Sequence, residues 1–382
     1  MRIILISNFH NHHQMPLCDG FLQIPNVEFT FIATEKVPQK RVTLGYAQTF
    51  DHLPYYREAI EPQDAIAAEQ LCFDSDVVII GSAPMTFIKR RLQAKKLTFT
   101  YNERWFKQGF WHHPGDIYRA VRAYTLPGNR NFYQLCASAY TAFDSNRIFA
   151  FPGRKLRWGY FPEVKKQDIS ALMAQKEPAT LLWAGRFLCW KHPEMALTVA
   201  KRLKEDGISF CLSMIGGGEE EQQIRTLIRA YDLEDCVALL GTMSPEEVRI
   251  HMERSAVFLF TSDFNEGWGA VLNEAMNSGC AVVASHAIGA APYLLRQGEN
   301  GFIYQNGDLE GLYQYTKKLL TDPVLREKLG KEAYRTMTEC WNATVAAGRL
   351  YDFAQAKLTG EKVPSYPDGP MSEDRGKVKN YG

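Results

Sequence analysis

The sequence predicts an α/β protein of two domains, each a parallel sheet covered by helices, and three observations predict it. Short apolar runs alternate with helical patterns along most of the chain, as in β-α-β winding. The alternation breaks around residues 151–164, where Pro152, Gly153, Gly159 and Pro162 interrupt any period, and then begins afresh. A length of 382 residues exceeds what one core usually organises. Two such halves facing one another would leave a deep cleft between them.

In the first half, strands are expected at residues 3–7, 28–33, 77–80, 97–101 and 134–137. The run Val77-Val78-Ile79-Ile80 ends at Gly81-Ser82, a strand-to-loop junction. In the second half, 179–184 is a strand, 192–206 a helix, 209–215 a strand, 219–231 a helix and 237–240 a strand. Ser244-Pro245-Glu246-Glu247 offers an N-cap, a proline at the first helical position and a glutamate at the third. An apolar run at 256–260, a glycine loop, a helix and a second run at 279–284 follow, then a turn and strand at 300–304. Long helices fill 309–358. From Gly360 the chain turns Pro-, Gly- and charge-rich (Ser365-Tyr366-Pro367-Asp368-Gly369-Pro370), which predicts a mobile tail over 360–382. The domains are accordingly 1–164 and 165–342.

Composition limits the function classes. With 46% hydrophobic and 23% charged residues the chain is ordinary globular protein. A net charge of +1 argues against a general nucleic-acid binder. Residues 1–165 hold 20 Lys and Arg against 14 Asp and Glu, so the first half suits an anionic partner or membrane surface. The eight cysteines include no C-x-x-C pair and sit mostly in apolar runs, the usage of reduced thiols in a cytoplasmic protein rather than of disulfides or zinc sites. No secretory signal or bilayer-spanning run is evident. The expected location is the cytoplasm, with peripheral contact at the inner membrane face open to it.

Three loops carry the chemistry. Gly185-Arg186-Phe187-Leu188-Cys189-Trp190-Lys191-His192-Pro193 follows a strand and opens a helix. Arg186 offers a bidentate fork for phosphate oxygens, Lys191 a point charge, and the helix start a further attraction for anions. Taken alone, this loop could equally be an ordinary turn with two solvated cations. Gly216-Gly217-Gly218 ends the next strand and lets backbone approach a ligand, or simply makes a tight turn. Ser262-Asp263-Phe264-Asn265-Glu266-Gly267-Trp268-Gly269-Ala270-Val271-Leu272-Asn273-Glu274 leads from strand to helix, where open α/β sheets bind ligands. Glu266 in the loop and Glu274 one turn into the helix suit the hydroxyls of a polyhydroxylated ligand.

Together the three loops resemble, over about residues 170–345, the GT4 family of retaining glycosyltransferases of the GT-B fold. Gly185-Arg186 with Lys191, and Glu266-Gly267-Trp268-Gly269 with Glu274-Ala275-Met276, carry the likeness; Trp268 stands where Phe is commoner. The resemblance implies two Rossmann-like doubly wound domains, the first binding acceptor and the second the nucleotide-sugar donor. It also implies that helix 343–359 crosses back to the first domain. Arg186 and Lys191 would hold and stabilise the leaving diphosphate, Glu274 the ribose hydroxyls, and Glu266 the transferred sugar. Gly185, Gly216, Gly217 and the backbone of Gly267, Trp268, Gly269, Ala270 and Val271 would line the donor. Transfer would proceed with retention and without metal or cofactor, from a donor expected to be UDP-linked, to a saccharide or lipid-linked acceptor in cell-surface polysaccharide assembly.

The first half lacks the glycines that many members of that family place after the first strand. It has Asn8-Phe9-His10-Asn11-His12-His13 there, and these histidines are candidates for lining the acceptor site. In similar enzymes the loop after strand 97–101 carries a polar residue beside the reacting sugar, which makes Glu103 the acceptor-side candidate. Residues 88–97 are basic with apolar residues interleaved, suited to a solvated helix face or to anionic lipid. Asp74-Ser75-Asp76 matches a metal-binding D-x-D pattern but precedes its strand, the wrong end for a ligand. Two other readings stand beside the transferase: a sugar-nucleotide epimerase or hydrolase of the same fold, and a non-catalytic sugar-nucleotide-binding protein.

Overall fold

The structure, a computed structural model, describes residues 1–39, 49–107, 109–112 and 114–378. They form two α/β units, one of Met1–Glu163 with Trp341–Val378, the other of Val164–Cys340. The first unit holds β1 (Arg2–Ser7), β2 (Glu28–Ala33), β3 (Tyr56–Glu58), β4 (Val77–Ile80), β5 (Thr98–Asn102), β6 (Phe132–Cys136) and β7 (Lys155–Arg157), in the order β3-β2-β1-β4-β5-β6-β7. The second holds β8 (Glu177–Ala184), β9 (Cys211–Ile215), β10 (Val237–Gly241), β11 (Ser255–Phe260), β12 (Ala281–Ser285) and β13 (Phe302–Tyr304), in the order β10-β9-β8-β11-β12-β13. The strand pairs are parallel. Each sheet reverses its winding beside its first strand, between β1 and β4 and between β8 and β11. Such a reversal opens a crevice at the carboxyl ends of the two strands, where open sheets bind ligands.

The strands read as continuous apolar runs because both faces of each sheet are covered. Ile3–Ile6, Val77–Ile80, Val257–Phe260 and Ala281–Ala284 are buried throughout. In the second unit, helix Pro193–Glu205 lays Met195, Ala196, Val199, Ala200 and Leu203 on the sheet. Helix Pro245–Arg254 starts with the capping box its sequence spells, Ser244 and Glu247 each satisfying the other's backbone amide. The apolar stretch at 309–358 divides into Leu309–Thr321, Pro323–Arg335 and Ala343–Thr359, restarted by the caps Asp322 and Asn342. The last of these belongs to the first unit. It lies on helix Met15–Leu22, where a side chain at Gly20 would come 3.1 Å from the Ala343 carbonyl, and it sets Phe353 edge-on to Tyr133 at 5.0 Å.

Three expectations need correction. In place of a mobile tail, residues 371–374 pair along the open edge of β7; residues 379–382 of the expected tail lie outside the described residues. Arg157 N donates to Ser372 O (2.8 Å), Met371 N to Arg157 O (2.8 Å) and Asp374 N to Lys155 O (2.9 Å). Arg349 Nη1 holds the carbonyls of Asp368 and Pro370 at 2.6 and 3.0 Å. An edge strand leaves backbone groups unpaired, and this segment satisfies them by backbone bonds that its composition does not advertise. Of the two readings of the basic stretch 88–97, the lipid-facing one needs correction: Ile88 and Leu97 are core, whereas Lys89, Arg90, Gln93 and Lys95 form a solvated face. Arg91 is fully buried, donating to the carbonyls of Cys72, Ser75, Asp76 and Leu97 and to Thr98 Oγ1. Of the histidines after β1, His10 is a core residue, ringed by Phe31, Phe50, Tyr55 and Tyr56.

Asp76 caps the amino end of β4 by accepting from Arg2 N at 2.7 Å, which gives it a structural role. Among the described residues no helix is long and apolar enough to cross a membrane. All eight cysteines are free thiols, four of them buried.

Candidate functional site

The loops that leave β8 and β11 flank the winding reversal of the second sheet and are stitched together. Trp183 Nε1, near the end of β8, donates to Thr261 Oγ1 at 2.9 Å. Thr261 Oγ1 in turn donates to the Lys191 carbonyl at 2.7 Å, and Asp263 N donates to the Trp190 carbonyl at 3.0 Å. His192 sits in the left-handed region at φ 49° and caps helix Pro193–Glu205. Its ring lies 2.9 Å from Glu194 Oε1 and 3.4 Å from Asp263 Oδ2. The hydrogen bond to Glu194 raises its pKa above the usual imidazole value, with Asp263 adding to the effect and burial opposing it.

Lys191 and Glu266 meet across these loops. Lys191 Nζ lies 2.6 Å from Glu266 Oε2, and the side chains are only 13 and 12% exposed. Ser262 Oγ donates to the same oxygen at 2.9 Å. Partial burial strengthens this pair relative to a surface ion pair and makes each charge dependent on the other. Arg186 differs: its side chain is exposed and has no hydrogen bond or ion pair with any described residue. The loop therefore shows one cation neutralised and one standing open.

The triple glycine serves this loop first. A Cβ on Gly216, at φ +135°, would fall 1.8 Å from the Gly185 carbonyl oxygen, and one on Gly218, at φ +152°, would fall 2.5 Å from that of Phe187. Only glycine fits either place. Through this contact Gly185 N donates to Ile215 O (3.0 Å) and Phe187 N to Gly217 O (2.9 Å). The glycines at 216 and 218 thus shape the Arg186 loop by close backbone approach, which their sequence alone leaves undecided between turn and ligand.

Glu274 is in the first turn of helix Val271–Asn277 and is half-buried. Burial pushes its carboxyl up to about 7, with the Arg249 guanidinium opposing. No described residue donates a hydrogen bond to it, so this carboxyl keeps its acceptor capacity. Trp268 turns the other way. Its indole is buried and donates to Asn273 Oδ1 at 2.8 Å, a burial worth about 5 kcal/mol before ordering costs. At this position only backbone is left for a ligand. Gly269 passes against Phe260 and Ile288, and Gly267, Ala270 and Val271 complete the loop into the helix.

The structure thus brings Gly185, Arg186, Lys191, Gly216, Gly217, Glu266 and Glu274 to the carboxyl ends of β8, β9 and β11. Glu103 belongs to the first unit. There its carboxylate accepts from Tyr160 Oη at 2.6 Å and pairs with Lys107 Nζ at 2.8 Å. The residues missed in the sequence are Thr261, Ser262 and Asp263, which lock the two loops together. Their signal was three polar side chains directly after the apolar run that ends at Phe260.

Residues 164–336 match the family model described as glycosyl transferases group 1. The amylovoran biosynthesis glycosyltransferase AmsK of Erwinia amylovora is 32% identical over 161 residues, 41% of this chain and 39% of that protein. The sulfoquinovosyl transferase of Arabidopsis thaliana is 26% identical over 279 residues, 71% of this chain and 52% of that protein. The chain thus spans about half or less of the length of these relatives. Among solved structures, HepE of Anabaena in complex with UDP superposes with a TM-score of 0.68 at 15% identity, over 94% of this chain and 100% of that one. The lipopolysaccharide outer core galactosyltransferase WaaB in its apo form gives 0.68 at 14%, with the same coverage. These likenesses show the fold, two parallel-sheet Rossmann-like units of the GT-B kind. The stretch holding the Arg186, Lys191, Glu266 and Glu274 loops is thus similar in sequence to group 1 glycosyl transferases, on a fold of the GT-B kind.

Proposed function

We propose that this chain is a GT4-type retaining glycosyltransferase that moves a sugar from a nucleotide-sugar donor to a saccharide or lipid-linked acceptor in cell-surface polysaccharide assembly. The observation that carries the reading is the Lys191–Glu266 pair at the winding reversal, beside an open Arg186 and a half-buried Glu274 whose carboxyl accepts no hydrogen bond from a described residue. In this reading the donor diphosphate takes Arg186 as a bidentate partner and draws Lys191 from Glu266. Ser262 keeps Glu266 in place, and the freed carboxylate accepts from hydroxyls of the transferred sugar. Glu274 accepts from the ribose. As the glycosidic bond to the diphosphate breaks, charge grows on phosphate oxygens, where two fixed cations stabilise it without a metal or cofactor. Glu103, on the first unit, is the proposed acceptor-side group. The relatives named for amylovoran biosynthesis and lipopolysaccharide core assembly suggest the acceptor class, and HepE, which holds UDP, suggests the donor base.

A thermal-shift screen against UDP-, GDP- and ADP-sugars tests the donor. A correct donor well above its dissociation constant stabilises by a few kcal/mol. Lys191→Ala should lower turnover by about a thousandfold. Retained turnover in that variant, or no response to any nucleotide sugar, would overturn the reading.

A further inference from the structure

His192, on the loop that carries Arg186 and Lys191, stands in a backbone conformation that its residue type does not favour. It follows the single turn Cys189–Lys191, has φ 49° and ψ 51°, and precedes Pro193, where helix Pro193–Glu205 begins. Glycine takes this left-handed region without cost; a histidine stays there when its contacts over-determine it. Those contacts join two loops. Nδ1 lies 2.9 Å from Glu194 Oε1 in the first turn of the helix, and Nε2 lies 3.4 Å from Asp263 Oδ2 on the loop leaving β11. Asp263 is itself fixed, its Oδ1 accepting from Asn265 N at 2.8 Å and from Asn265 Nδ2 at 3.0 Å.

Both partners of the ring are carboxylates, which accept and do not donate. A neutral imidazole has one ring proton and satisfies one of them; only the imidazolium donates to both. The other groups nearby do not take its place. Lys191 turns its Nζ to Glu266 Oε2 at 2.6 Å. The Tyr304 hydroxyl, at the end of β13, keeps its proton, because burial raises its pKa and Asp308 and Glu194 add to the effect. On the loop after β12, His286 packs edge-on to Phe264, and burial lowers its pKa.

We infer that His192 is a positioning residue: as an imidazolium it clamps the turn bearing Lys191 to the loop bearing Asp263 and Glu266, and holds both in the arrangement that receives an anion. Both ring nitrogens are engaged, so the ring acts through the backbone beside it and not by touching a ligand. The naming of that anion as a nucleoside diphosphate rests on the transferase reading; the clamp itself does not. The hydrogen bond to Glu194, with Asp263 adding and burial opposing, holds the imidazole pKa above its usual value. The clamp is therefore complete below the usual value and is lost as pH rises through the raised one. Glu274 works in the opposite sense, since its carboxylate is lost as pH falls below about 7. Nucleotide affinity should thus pass through a maximum, with His192 setting the alkaline limb and Glu274 the acid limb.

Calorimetric titration of UDP from about pH 7 to about pH 9 reads the alkaline limb, where the terminal phosphate is already ionised. Wild-type affinity should fall by about fivefold or more across it. His192→Asn keeps a residue type that tolerates left-handed backbone; it should bind UDP about fivefold or more weakly at the lower pH and show no alkaline limb. Glu274→Gln should keep that limb. Without ligand, nuclear magnetic resonance of the ring protons should place the His192 titration above the usual imidazole value, and Asp263→Asn should lower it. A flat wild-type profile, an alkaline limb that persists in His192→Asn, or a ring that titrates at or below the usual value would overturn the inference and leave the donor reading standing. A raised titration that Asp263→Asn lowers, with no binding of UDP, GDP or ADP at any pH, would support the clamp and overturn the donor reading alone.

Discussion

The two sheets share a strand order and end it with opposite chemistry. Each reverses beside its first strand, yet what leaves β8 is an open Arg186 and a paired Lys191, whereas what leaves β1 is Asn8 and the buried His10. His10 sits 4.3 Å from the Phe31 ring and 4.7 Å from Phe50, with Tyr55 Oη at 3.4 Å. Burial there lowers its pKa to about 4, a hydrogen bond to Gln14 opposing. The comparison teaches that topology supplies a crevice at both reversals, but side chains decide what fills it. In the second unit the loops there present Arg186, Lys191 and Glu266; in the first, His10 after β1 packs among the aromatic rings of β2 and residues 50–56.

The sharpest way to break this contrast is to add one methyl group to each loop. Gly216→Ala drives a Cβ into the Gly185 carbonyl at 1.8 Å, so it should cost about 3 kcal/mol or more in urea unfolding and abolish nucleotide binding. Gly81→Ala, after β4, meets the Ser7 hydroxyl at 2.8 Å, a side chain able to rotate, so it should cost about 1 kcal/mol or less and spare nucleotide binding. Similar losses in the two variants would mean that the glycine loop has no special role.

Acid separates the units next. The pKa of His10 is depressed from 6.5 to about 4, so its contribution is fully present above pH 6.5 and is lost as pH falls toward 4. The pKa of Glu274 is raised from 4.5 to about 7, so its contribution is fully present below pH 4.5 and is lost as pH rises through 7. Between these limits acidification weakens the first unit and relieves the second, each by an amount on the order of 1–3 kcal/mol. Glu274→Gln should therefore raise the thermal midpoint at pH 8 and leave it unchanged at pH 4. His10→Phe should blunt the acid loss and leave nucleotide affinity within about twofold. If the ribose hydroxyls donate to Glu274, nucleotide affinity should also weaken below about pH 7, and Glu274→Gln should flatten that dependence. A midpoint in Glu274→Gln that tracks wild type at every pH would contradict the buried-carboxyl account.

Much of this is legible in the sequence because the signal is local. Charged residues and glycines stand where apolar runs end, so the order of residues alone assigns Arg186, Lys191, Glu266 and Glu274 to the carboxyl ends of strands. What is not legible depends on neighbours distant in the chain. The cage around His10 comes from Phe31 on β2 and from residues 50–56, and no spacing near His10 announces it. Gly216 and Gly218 are required by the backbone of Gly185 and Phe187, a contact visible only once β8 and β9 lie side by side. The strands Tyr56–Glu58 and Lys155–Arg157 are three residues each, too short to show a period, and the segment 366–378 packs through backbone bonds that leave its composition loop-like.

The most direct test concerns Arg186, because it has no hydrogen bond or ion pair to lose within the described protein. Calorimetric titration of UDP should show wild-type binding, and Arg186→Ala should weaken it by about tenfold or more. Its thermal midpoint without ligand should match wild type. Equal affinity in the two proteins, or no binding of any nucleoside diphosphate to the wild type, would contradict the claim that the β8–β11 reversal is built to hold a diphosphate.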